Sequence, residues 1–117
     1  MTIKETIHNY FRALKQKNSW ESFLADDFVF TSFVVPQKQV TGKAAYLEST
    51  KRFFSMIVSV QVKDMIIEGE KACVLTRYEL QSPQGNSFTS EVAEVFNVRD
   101  GNIFSLAIYF DSSPFPK

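Results

Sequence analysis

Gly101-Asn102-Ile103-Phe104-Ser105-Leu106-Ala107-Ile108-Tyr109-Phe110-Asp111 is apolar at nearly every position, follows an Asp100, and ends in a carboxylate. Strict alternation puts Phe104, Leu106, Ile108 and Phe110 on one side, and Ile103, Ser105, Ala107, Tyr109 and Asp111 on the other. A strand this poor in charge is expected to be covered on both sides. Its second side steps from small residues to an aromatic and then an acid, which leaves room for a cavity with a polar end. Working outward, Asp100-Gly101 is a hairpin signal, preceded by a long strand from Ser87 to Arg99. The cluster Ser82-Pro83-Gln84-Gly85-Asn86 marks another turn, with a strand from Ala72 to Gln81 before it. Gly69-Glu70-Lys71 then joins that strand to one spanning Val60 to Glu68.

The first half of the chain reads differently. Thr2-Ile3-Lys4-Glu5 has capping-box spacing, and Ile3, Ile7, Tyr10, Phe11 and Leu14 recur with helical period, predicting a helix to about Lys17. His8 falls on its polar side with Lys4 and Arg12. Asn18-Ser19 breaks the chain, and Trp20, Phe23 and Leu24 predict a short second helix ending before Asp26-Asp27. Phe28 to Val35 reads as a strand closed by Pro36. Thr41-Gly42 opens a third helix through Ala44, Leu47, Phe54 and Ile57. The order predicts one α+β domain over residues 1–117, with three N-terminal helices packed on one face of a curved, mainly antiparallel sheet.

Composition narrows the function classes. Thirteen basic and thirteen acidic residues cancel, so no global field favours nucleic acid or an anionic membrane. No segment has the apolar length of a transmembrane span or the pattern of a signal peptide. A lone Cys73 excludes an internal disulfide and fits a reducing, cytoplasmic setting. One His and one Cys with scattered acids give no metal-ligand spacing, so neither metal nor other cofactor is expected. Twelve Phe in 117 residues bury much area and also suit the walls of an apolar site.

Two-residue turns at both hairpins would align a set of charges. Pairing Arg99 with Asn102 and counting outward puts Glu94 opposite Ala107, Val92 opposite Tyr109, and Ser90 opposite Asp111. The same count about Gln84-Gly85 puts Glu79 opposite Ser90, Arg77 opposite Val92, and Leu75 opposite Glu94. Arg77, Glu79, Glu94 and Asp111 then share one face, and a guanidinium between carboxylates can hold one ionised as a base while the other keeps a proton. The alternative is a solvated or interfacial charge network, since cross-strand Arg–Glu pairs are common. Leu75, Val92, Ala107 and Tyr109 on the same face argue against open water.

The chain resembles the nuclear-transport-factor-2-like, or SnoaL-like, family of cystatin-like α+β cones over essentially its whole length. The resemblance rests on Tyr10-Phe11, on Trp20-Glu21-Ser22-Phe23-Leu24-Ala25-Asp26-Asp27-Phe28, on Thr41-Gly42-Lys43-Ala44-Ala45, and on Asp100-Gly101-Asn102-Ile103 before Tyr109-Phe110-Asp111. It implies an apolar pocket between helices and sheet, and a homodimer formed through the sheet's outer face. Within the family, Arg77-Tyr78-Glu79 and Tyr109-Phe110-Asp111 are similar to the site strands of limonene epoxide hydrolase. That likeness implies Asp111 as the base activating water, Glu79 as the acid, and Arg77 bridging them. Phe30 and Ser32 stand where that enzyme places a water-holding Tyr and Asn. Against ketosteroid isomerase, Glu94 falls near the protonated acid of the oxyanion hole, and Phe33 near the general base. SnoaL-type cyclases use a carboxylate base, a role open to Asp111 or Glu94.

These readings converge on a pocket lined by Phe11, Phe30, Ser32, Val92 and Tyr109, holding a small apolar molecule. Arg77, Glu79, Asp111 and Glu94 are its candidate catalytic groups, for a cofactor-independent hydrolase, isomerase or cyclase. The alternative is a non-catalytic module that binds an apolar ligand or pairs with a protein partner.

Overall fold

The computed structural model of the chain describes residues 1–34 and 36–115. Helix α1 (Ile3–Lys15) starts where the capping box predicts: the Glu5 amide donates to Thr2 Oγ1 at 3.1 Å, and the Thr2 amide donates to Glu5 Oε1 at 2.9 Å. It stops two residues short of Lys17, because Lys17 and Ser19 both take left-handed backbone angles. Of the three expected helices, two are α-helices. The middle one is a single 3-10 turn, Trp20–Phe23, too short for an α-helical hydrogen-bond ladder. Helix α2 (Lys43–Met56) follows Gly42, whose φ of 98° suits glycine at the entry to the helix.

Six strands make one sheet: β1 (Leu24–Ser32), β2 (Lys38–Thr41), β3 (Ile57–Glu68), β4 (Lys71–Gln81), β5 (Ser87–Arg99) and β6 (Asn102–Phe110). Their order is β2-β1-β6-β5-β4-β3. Every neighbouring pair is antiparallel except β1 and β6, so the sheet is mixed. Two departures from the sequence reading are local. The first strand begins at Leu24 and ends at Ser32, and its expected end at Val35 lies outside the described residues. The short, polar β2 carries too few apolar alternations to announce itself in the sequence.

One face of the sheet is covered. Helix α1 lies over β3, β4 and β5, and α2 over β1 and β2. Ile7, Tyr10, Phe11 and Leu14 of α1 are buried against Phe28, Val74, Phe96, Val98 and Ile103. Tyr10 and Phe11 meet Phe96 edge-on at 5.6 and 5.8 Å between ring centres, the geometry in which aromatic quadrupoles attract. Neither helix is long and apolar enough to cross a membrane.

Register decides which side chains share the covered face. Asp100 and Gly101 both have positive φ, as a type I′ turn requires, and Arg99 pairs with Asn102 as the two-residue turn predicts. Just beyond the next pair, the count slips. Val98 pairs with Ile103 but Asn97 pairs with Ser105, leaving Phe104 as an extra residue in a bulge. Beyond it Glu94 stands opposite Ile108, and Val92 opposite Phe110. The β4–β5 connection spans all five residues from Ser82 to Asn86, held by the Ser82 amide on the Asn86 carbonyl at 2.8 Å. That moves Glu79 opposite Thr89, Arg77 opposite Glu91, and Glu94 opposite Val74.

Candidate active site

A shift of one residue reverses the facing of a strand's entire side-chain set. Here the expected row of four charges separates. Arg77 and Glu79 alternate with the buried Thr76, Tyr78 and Leu80 and point to the uncovered face. There Arg77 Nε donates to Glu79 Oε1 at 3.0 Å and lies 3.7 Å from Glu91, while Thr89 Oγ1 donates to Glu79 Oε2 at 2.8 Å. Both side chains keep more than two fifths of their surface in solvent, and these hydrogen bonds hold the Glu79 carboxyl below its ordinary pKa. Asp111 lies past the end of β6, exposed, accepting from the Ser113 amide and hydroxyl at 3.0 and 2.8 Å. Glu94 alone of the four faces inward, 3% exposed.

The inner faces of β4, β5 and β6, with β1 and α2, enclose a cavity of about 220 Å³. Its walls include Phe30, Tyr46, Phe53, Phe54, Leu106, Ile108 and Phe110, and Phe115 lines it from beyond β6. Phe115 packs against Phe53, Phe88 and Phe110 with ring centres 5.1 to 6.3 Å apart. Of the five expected lining residues, Phe30, Ser32 and Val92 border this cavity. Phe11 is spent in the core against Phe96. Tyr109 sits on the uncovered face, 52% exposed, its ring stacked on Phe33 at 4.7 Å.

Glu94 is the charged group that the cavity holds deepest in apolar surroundings. Thr76 Oγ1 and Tyr78 OH, the latter at 2.9 Å, both donate to its Oε2. Burial pushes its carboxyl up from 4.5 to about 7, against the opposing pull of those two donors. With both donors on Oε2, the other oxygen, Oε1, receives no hydrogen bond from the described residues. Tyr10, Tyr46 and Tyr78 also line the cavity, and burial, with the nearby Glu94 charge, raises all three phenols well above their usual range. They stay protonated and serve as donors at neutral pH.

Sequence reasoning missed Thr76 and Tyr78 because they interleave with Arg77 and Glu79, whose charges drew the reading to the other parity. The signal was present in the alternation of Val74, Thr76, Tyr78 and Leu80, a row with no charge and one phenol.

The geometry of helices laid across one face of a mixed sheet, with a pocket between, has relatives. Residues 7–106 match the profile of the SnoaL-like domain. The chain belongs to that family. No curated protein matches this SnoaL-like chain by sequence. Solved structures share its fold at low identity. An NTF2-like protein of unknown function from Burkholderia pseudomallei superposes with a TM-score of 0.81 at 18% identity, covering 97% of this chain and 94% of the other. A second NTF2-like protein of unknown function, from Cytophaga hutchinsonii, gives 0.77 at 22%, with 97% and 94% covered. A protein with a ketosteroid isomerase-like fold from Catenulispora acidiphila, solved in complex with trimethylamine, gives 0.78 at 18%, with 94% and 88% covered. At these identities the likeness establishes the fold of the SnoaL-like domain and leaves its chemistry to be argued from the cavity.

Proposed function

We propose that this SnoaL-like domain binds a small, largely apolar carbonyl compound in the cavity and moves a proton on it through Glu94, as a cofactor-independent isomerase or cyclase would. The observation that carries this reading is a single buried carboxyl, titrating near neutrality, with one oxygen pinned by two donors and the other open. A general base is most effective when its pKa lies near the working pH. In the proposed step, ionised Glu94 Oε1 takes a proton from the carbon next to the carbonyl, and the C–H electron pair passes to the carbonyl oxygen as an enolate. A phenol of Tyr10 or Tyr46 donates to that oxygen, stabilising charge where it develops. Glu94 then returns the proton to carbon, at the original position or a conjugated one. Proton movement of this kind calls for no metal or organic cofactor.

The test uses 2-tetralone, which carries acidic protons beside its carbonyl. The domain is expected to bind it and to exchange those protons for deuterium in heavy water, followed by NMR. Glu94→Gln should slow the exchange by about a hundredfold or more. Exchange equal in wild type and variant would overturn the role of Glu94. Tight binding with no catalysed exchange would favour the second reading, a ligand-binding module. That reading draws its support from the cavity holding a single carboxyl, Glu94, among the described residues. In either case the exposed Phe33–Tyr109 pair and Leu75 on the uncovered face suit a homodimer packed through that surface.

A further inference from the structure

Ser90 faces the cavity from β5, four residues before Glu94 on the same strand face. It is 1% exposed, and its hydroxyl is the buried side-chain polar atom without a hydrogen-bond partner among the described residues. Buried hydroxyls are nearly always paired, and leaving one unpaired is unfavourable. Its strand neighbours on that face are Phe88 and Val92, and Tyr78 opposite it directs its own hydroxyl to Glu94. An alanine or valine would fill the position with no polar penalty. Among the polar groups that line the cavity, Ser90 thus stands apart from Glu94 and its donors by being unpaired, about 13 Å from Glu94 along the backbone, with Val92 between them on the same strand face.

Cavity size limits what can span them. An apolar cavity of about 150 Å³ holds benzene, so 220 Å³ accommodates a molecule of about ten non-hydrogen atoms, one or two fused rings.

Building on the proton-transfer reading above, we propose that Ser90 is a second polar anchor. On this assignment the ligand class is a compact one- or two-ring carbonyl compound that also carries a hydroxyl at the end remote from the carbonyl. The carbonyl end lies at Glu94, and the remote hydroxyl exchanges a hydrogen bond with Ser90 Oγ. Ser90 is then a specificity-determining residue, because a site built to pair a ligand hydroxyl discriminates against the analogue that lacks it.

The experiment compares 6-hydroxy-2-tetralone with 2-tetralone by calorimetric titration on wild type, Ser90→Ala and Ser90→Cys, alongside thermal melts of the free proteins. In wild type the hydroxylated probe is expected to bind about tenfold more tightly, one good hydrogen bond's worth. Ser90→Ala should bring the two probes within about twofold while melting no lower than wild type, because it removes a hydroxyl that has no partner in the free protein. Ser90→Cys, of similar shape with a weaker donor, should fall between. Equal affinities in wild type would overturn the Ser90 anchor while leaving Glu94 untouched. So would a Ser90→Ala protein that melts lower and keeps the tenfold preference, since the hydroxyl would then be paired within the fold. Failure of wild type to bind either probe would overturn the cavity reading itself, whereas a preserved Ser90 preference with no Glu94-dependent exchange would sink only the proton-transfer step.

Discussion

Replacing Glu94 by glutamine should change how stability depends on pH, by an amount that the burial of this carboxyl sets. The group holds its proton up to about pH 7 in the folded chain, against 4.5 in an exposed setting. Between those two values the folded state binds more protons than the unfolded one, so stability falls as pH rises. The contribution is fully present below about 4.5 and gone above about 7. At 1.36 kcal/mol for each of the 2.5 pH units, it amounts to about 3 kcal/mol, a large part of the ~5–15 kcal/mol that holds a domain folded. Glutamine keeps an oxygen for Thr76 and Tyr78 but does not ionise.

Urea unfolding of both proteins at intervals from pH 4.5 to 8 isolates the effect, because what the two proteins share drops out of the difference between them. Glu5, Glu79 and Asp111 work in the opposite sense. Their pKa values are lowered by hydrogen bonds, so the stability they add is lost as pH falls, below the window of interest. Wild type should lose about 3 kcal/mol relative to Glu94→Gln across the range, moving its urea midpoint by roughly 2 M for a domain this size. Parallel curves between pH 4.5 and 8 would refute the argument, since they would mean a carboxyl that titrates as if in water.

Phe96 is fully buried and touches both Tyr10 and Phe11, so Phe96→Ala should cost about 3–5 kcal/mol in chemical denaturation. Arg77→Ala should cost no more than about 1 kcal/mol, as expected of an exposed ion pair, and should leave tetralone binding and exchange within twofold of wild type. Tyr109→Lys tests the homodimer proposed above: wild type should scatter light as a dimer and the variant as a monomer, with affinity for either tetralone unaltered, because this side chain lies on the uncovered face.

The sequence carried the fold because its signals were local and redundant. The capping box at Thr2 and Glu5, the Asp100-Gly101 turn and the apolar faces of the long strands each state their structure within a few residues. The site was harder because it depends on parity across three strands. Arg99 pairs with Asn102 as read, yet one bulged residue at Phe104 and a five-residue loop at 82–86 exchange the faces beyond them. Neither feature has a strong sequence mark. Phe104 carries no glycine signature, and its ring takes the Arg99 guanidinium at 4.8 Å, a contact visible only after folding. Glu94 was legible as a candidate but its partners were not, and the hydroxyl of Ser90 gains meaning only from the absence of a partner around it.

The single-residue slip also bears on which reactions the cavity suits. Opening an epoxide with water calls on two groups at once, one to take the proton of water and one to supply the departing oxygen. With Arg77 and Glu79 on the uncovered face and Asp111 in solvent, the cavity offers one carboxyl for both tasks. A single carboxyl can take a proton and then return it, which fits enolisation and the carbon–carbon rearrangements that follow from it. The pH profile separates the two cases. If ionised Glu94 is the lone base, exchange of 2-tetralone should rise tenfold per pH unit up to about 7 and then stay level, because the lining phenols are raised and keep their protons well beyond neutrality. A second, falling limb between pH 7 and 9 would demand another essential acid in the site, and would return the argument to a paired-carboxyl mechanism that this register does not supply.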